Sequence, residues 1–101
     1  MAIDLFCYTN YGKVELQEAV RVLSIANPEI FAKSFLIGEI FEAGPVEREI
    51  SLEHGFDAVS IFLIRLAEKS AAGRMKEVAD LVKAALGINR VIVLFENESL
   101  I

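Results

Sequence analysis

Hydrophobic and polar positions alternate with two different periods along this chain, and the period changes mark its elements. Residues Ala2 to Tyr8 read as a first strand, with Ile3, Leu5 and Cys7 alternating against Asp4 and Phe6. A turn cluster, Thr9-Asn10-Tyr11-Gly12, follows. From Val14 to Ala26 the period becomes helical: Leu16, Ala19, Val20 and Leu23 fall on one side, and Glu15, Gln17, Glu18 and Arg21 on the other. Asn27-Pro28 ends that helix, because the residue before a proline is pushed out of the α region. Pro28 then opens a short helix over Glu29 to Lys33.

The second half reads mostly as strands. Phe35 to Ala43 is the second, and Gly44-Pro45 is a turn. Val46 to His54 is expected to be the third, with Glu47, Glu49, Ser51 and Glu53 on one face and Val46, Arg48, Ile50, Leu52 and His54 on the other. Val59 to Ala67, apolar on both faces, is a fourth and central strand. Ser70 caps a helix from Ala71 to Leu86, whose buried stripe is Met75, Val78, Ala79, Val82 and Ala85, and Gly87 stops it. Arg90 to Glu96 is the last strand, with an uncharged centre. The order predicts an α+β, two-layer fold over a single domain, residues 1–101: a five-stranded mixed sheet with an antiparallel meander and two main helices on one face.

Composition sets the frame for chemistry. With 54% hydrophobic residues the 101-residue chain has ample core material. Its single cysteine, Cys7, forbids an intrachain disulfide, which fits a reducing compartment. No basic leader region and no uncharged run of membrane-spanning length is visible, so a cytoplasmic protein without membrane contact is expected. The mean hydropathy of +0.47 points to a dense core, with room for an apolar interface besides.

No catalytic residue is assigned. A Cys7–His54 nucleophile and base would use two single-copy residues, but Cys7 shares a face with Ile3 and Leu5 and reads as a small core hydrophobe. No zinc spacing, twelve-residue calcium loop or glycine-rich phosphate loop occurs, so neither metal nor cofactor is expected. The phenylalanines read as core. A net charge of −5 lacks the basic face that a nucleic-acid binder needs.

Charge placement is the distinctive feature. Between residues 39 and 57 lie Glu39, Glu42, Glu47, Glu49, Glu53 and Asp57, six acids, against one base, Arg48. That stretch alone carries a net charge of −5, and the rest of the chain balances. A solvated sheet face accounts for such a run, since charges also guard exposed edges. So does a docking patch. Neighbouring carboxylates repel one another, and without lysines among them a basic protein surface would supply the missing cations.

The opening Ile3-Asp4-Leu5-Phe6, the block Ile50-Ser51-Leu52-Glu53-His54-Gly55-Phe56 and the ending Val93-Leu94-Phe95-Glu96-Asn97-Glu98 give the chain a further character. It resembles the immunity proteins of bacterial contact-dependent growth inhibition and related polymorphic toxin systems. The resemblance spans most of the chain and assigns no individual residue. It implies a cytoplasmic inhibitor of a cognate protein toxin, often a nuclease with a basic cleft, blocked by occlusion. The six acids from Glu39 to Asp57 are then the expected contact surface. Two other classes stay open: a regulatory or ligand-binding domain that oligomerises through an apolar face, and an enzyme built on Cys7, His54 and carboxylates.

Overall fold

The computed structural model describes residues 4–95 and the backbone of residues 99–100. Ala2 and Ile3 of the expected first strand, and Glu96 of the last, lie outside the described residues. The elements are β1 (Asp4–Thr9), α1 (Lys13–Ala26), β2 (Phe35–Glu42), α2 (Pro45–Glu53), β3 (Ser60–Leu66), α3 (Met75–Leu86), β4 (Val91–Phe95) and a two-residue β5 (Ser99–Leu100). A π-helical turn, Ile30–Ser34, precedes β2, and a 3-10 turn, Lys69–Arg74, precedes α3.

The strands lie side by side as β2-β3-β1-β4-β5, and every neighbouring pair is antiparallel. Strand β1 therefore runs parallel in sense to β2 with β3 between them, and β3 parallel in sense to β4 with β1 between them. The two β-α-β units interleave, the split arrangement in which each crossover helix passes over one intervening strand. Both crossover helices cover the same face. Leu16, Val20 and Leu23 of α1 and Val78, Ala79, Val82 and Leu86 of α3 pack on Leu5, Cys7, Phe62, Ile64 and Val93.

The expected sheet is corrected in three respects. It is not a five-stranded mixed sheet: four long strands form a wholly antiparallel sheet, to which β5 adds two residues at one edge. There is no meander, because β2 pairs directly with β3. And the segment expected as the third strand is a helix, α2, over Pro45–Glu53. The overall α+β class holds.

Local chemistry explains the helix. Pro45 sits at its first position, where a missing N–H costs nothing. Glu47, at the third, turns back so that the Gly44 N–H donates to its Oε1 at 2.9 Å. That is one half of a capping box, the half a glycine cap permits. The half-buried and buried positions of α2 are Glu47, Ile50, Ser51 and His54, spaced i, i+3, i+4 and i+7. Ser51 is fully buried; its hydroxyl donates to the Arg48 carbonyl at 2.9 Å and accepts from the Ala58 N–H at 3.3 Å. Those bonds tie α2 to the segment leading into β3. Ile50, Phe56 and Ala58 then pack on Tyr8, Ile61 and Leu94, on the sheet face opposite α1 and α3.

A hydroxyl cluster locks the other end of the sheet. Ser60 Oγ donates to the Tyr11 carbonyl at 2.6 Å and so accepts from the Thr9 hydroxyl at 2.9 Å. Tyr11 donates to the Leu86 carbonyl at 2.6 Å, satisfying a carbonyl that the end of α3 leaves open. Arg90 lies 3.6 Å from the centre of the Tyr11 ring and donates to Asn10 Oδ1 at 2.9 Å. Gly87 makes the stop at a φ of 105°, in the left-handed region that favours glycine.

Two stability outcomes follow from this packing. Leu94 is completely buried, so Leu94→Ala should cost ~2–5 kcal/mol, whereas half-buried Ile92 should lose less on the same change. Urea denaturation measures both, and an unchanged midpoint for Leu94→Ala would remove β4 from the core. Glu47→Ala should cost about 0.5–1.5 kcal/mol and weaken the helical circular dichroism signal, with Glu47→Gln losing less because it keeps an acceptor. Equal losses for the two variants would show that the cap contributes nothing.

Candidate protein-binding surface

The six acids singled out in the sequence lie on three consecutive stretches of the chain. Glu39 and Glu42 lie on β2, the edge strand; Glu47, Glu49 and Glu53 on α2; and Asp57 on the segment returning to β3. Their roles divide. Glu47 is half-buried and caps α2, and Asp57 accepts from Arg48 at 3.2 Å on the surface. The strand reading put Glu47, Glu49, Ser51 and Glu53 on one face, and the helix separates them: Glu47 and Ser51 turn inward, while Glu49 and Glu53 stand outward one helical turn apart. Glu39, Glu42, Glu49 and Glu53 are exposed and, among the described residues, have no ion-pair partner.

Elsewhere on the surface several carboxylates are paired. Glu18, Asp4, Glu77 and Asp80 pair with Arg21, Arg65, Arg74 and Lys76. Hydrogen bonds from Arg21 and Arg74 hold the carboxyls of Glu18 and Glu77 below the usual range. Carboxylates without an ion-pair partner among the described residues also occur elsewhere, at Glu15, Glu29 and Glu68, so what sets β2 and α2 apart is the excess of acid over base along them.

Strand β2 carries a β-bulge. Ile37 pairs with Ile64 and Ile40 with Phe62, so Gly38 and Glu39 together oppose Leu63. Ile37 and Ile40 both pack into the core under α1 and α3. The two residues between them therefore face the other side, and Glu39 is carried away from the core. The sequence held a signal for this. Strict alternation from Phe35 and Ile37 would drive Glu39 into the core and Ile40 out of it, and a glycine inside a strand often marks a bulge.

Helix α2 covers only part of the face onto which Glu39 turns. Beyond it, Leu36, Gly38 and Leu63 floor a depression of about 350 Å³, with Asp4 and Arg65 at its margin. A second depression, between α1 and the end of α3, is lined by Tyr11, Val14, Val22 and Ala85.

Cys7 and His54 do not form a pair. Cys7 is wholly buried on the face under α1 and α3, and His54 ends α2 on the opposite face, so the sheet lies between them. Among the described residues no group of three His, Cys, Asp or Glu could hold a metal ion, and no helix is long and apolar enough to cross a membrane.

Three comparisons agree. A family model described as the CDI system immunity component matches residues 1–99. Immunity protein CdiI-2 of Burkholderia pseudomallei strain 1026b is 31% identical over 98 residues, covering 97% of each chain. A chain of a solved CdiA-CT/CdiI toxin and immunity complex from Burkholderia pseudomallei superposes with a TM-score of 0.94 at 28% identity, covering 97% of this chain and 95% of that one.

The buried cysteine gives a check on this geometry. Burial pushes the Cys7 thiol far above its ordinary pKa, because the thiolate would lose its hydration. The folded protein should not react with a thiol reagent at pH 8, and one equivalent should react in denaturant. Fast reaction of the folded chain would mean that Cys7 is outside the core.

Proposed function

The chain belongs to the CDI immunity component family, and from that footing we propose that it neutralises its toxin by laying the acidic β2–α2 border across a basic, nuclease-type active site. An immunity component is an antagonist and not an enzyme. The observation that carries the reading is the set of exposed carboxylates at Glu39, Glu42, Glu49 and Glu53, none of which has an ion-pair partner among the described residues. A nuclease cleft is lined with Lys and Arg to hold phosphates. Carboxylates at these positions take the place of those phosphates and exclude the substrate. Glu47 and Asp57 act indirectly, the first by holding α2 in place and the second by neutralising Arg48. The protein works in the cytoplasm, where such a toxin meets nucleic acid.

Electrostatic steering accompanies this arrangement and can raise association rates ~10–10³-fold at low salt. A second reading has its own observation: Val14, Val22 and Ile25 stand exposed along α1, as an oligomer interface would require. Sedimentation over a range of concentrations separates a monomer from an oligomer.

The test is the triple change Glu42→Lys, Glu49→Lys and Glu53→Lys, measured against the toxin domain encoded beside the chain. Glu47 is left intact because it caps α2. Exposed substitutions usually stay within about ±0.5 kcal/mol each, so the variant should fold. Association should slow at least tenfold in low salt, converge with wild type as salt rises, and leave toxin-expressing cells unprotected. Binding within about threefold of wild type, roughly 0.65 kcal/mol, would reduce the acids to a solvated surface.

A further inference from the structure

The lower sheet face is only half covered, and the bare half has the chemistry of a contact surface. Helix α2 and the segment after it cover Tyr8, Ile61 and Leu94. The neighbouring positions Leu36, Gly38 and Leu63 receive no helix. Leu36 is 50% exposed, and neither leucine joins either core cluster. They floor the depression of about 350 Å³, which has room for one large side chain. Gly38 keeps that floor low. Its backbone is not in the left-handed region, and a Cβ there would meet the Leu63 carbonyl oxygen at 3.5 Å, an ordinary contact. Neither conformation nor crowding demands glycine at this point.

Charge identifies the occupant. The cation at the margin, Arg65, already donates to Asp4 at 3.0 Å. The bulge turns Glu39 onto the same face without a counterion, so the bare half carries a net negative charge around an apolar floor. Along β2, Glu39 and Glu42 follow it in the direction of α2.

We infer that this bare half-face, floored by Leu36, Gly38 and Leu63 and flanked by Glu39, seats an apolar side chain of the toxin domain with a Lys or Arg beside it. The inference rests on the toxin-binding reading and deepens it: the acids steer the encounter, and the apolar seat retains the bound toxin. Shape and apolar burial in the seat act mainly on dissociation, whereas exposed charges act mainly on association.

The experiment uses the full chain and the toxin domain encoded beside it, with binding rates from surface plasmon resonance. Leu36→Glu puts a charge into the seat while making the face more acidic. Gly38→Leu fills the seat and leaves the charge unchanged. Ile88→Glu, in the exposed turn before β4, is the control, and thermal melts confirm folding of each. Leu36→Glu should weaken binding at least 30-fold and Gly38→Leu at least tenfold, mainly through faster dissociation, with Ile88→Glu within threefold. A purely electrostatic dock would instead leave Leu36→Glu as tight as wild type or tighter, which overturns the seat. Wild-type hydrogen exchange gives a readout free of substitutions: amides of residues 36–39 should slow in the complex, and unchanged exchange there also overturns it. If the seat variants bind normally while the Glu42, Glu49 and Glu53 reversal does not, the acidic border stands without the seat. If the reversal is harmless while the seat variants fail, the seat stands without the border. A wild-type chain that does not bind this toxin at all overturns both.

Discussion

Strand β1 is hydrogen-bonded along both edges and apolar on both faces, and the remaining elements take their positions from it. Cys7 lies between Phe62 and Val93, and Tyr8 between Ile61 and Ile92. Leu5, Cys7 and Tyr8 are buried almost completely although they point to opposite sides. A strand in that position needs cover above and below. The two crossover helices supply the upper layer in full. The lower layer comes from a nine-residue helix in the β2–β3 connection and the segment after it, which pack on residues of β3, β1 and β4 but on none of β2.

That shortage shapes the surface. Where α2 lies, the lower face becomes a second small core around Tyr8 and Leu94. Where it stops, apolar sheet residues meet solvent beside unpaired carboxylates. The same helix therefore completes the fold at one end and defines the open surface at the other. Its attachment is polar as well as apolar, through Glu47 at its start and the buried Ser51 hydroxyl at its centre.

Net charge separates the β2–α2 stretch from the rest of the molecule, where acids and bases are equal in number. Arg21, Arg65, Arg74 and Lys76 each have a carboxylate within reach, and Arg90 is committed to Asn10 and Tyr11. Exposed pairs of this sort contribute little to stability. The excess negative charge of the chain lies in residues 39–57, which hold six acids and one base. In the proposed dock, that localised field speeds the encounter with a basic toxin surface.

The residues themselves determined a good deal. The helical period of Val14 to Ala26, the stop at Asn27-Pro28, the strand at Val59 to Ala67 and the uncharged Val91 to Leu94 all match observed elements, because each has a single period over enough residues. The α+β class and the concentration of acid between residues 39 and 57 were legible for the same reason. Residues 46–54 were not. Nine residues with Ile50 and Ser51 central satisfy a period of 2 on paper and a period of 3.6 in space, and Glu47 looks solvent-facing in the first and capping in the second. The direct pairing of β2 with β3 leaves no room for a strand between them, and Pro45 and Glu47 then start the helix. The bulge at Gly38 and Glu39 was decided in the same way. Ile37 and Ile40 must both reach the core beneath α1 and α3, and that requirement, set by packing from distant parts of the chain, turns Glu39 outward.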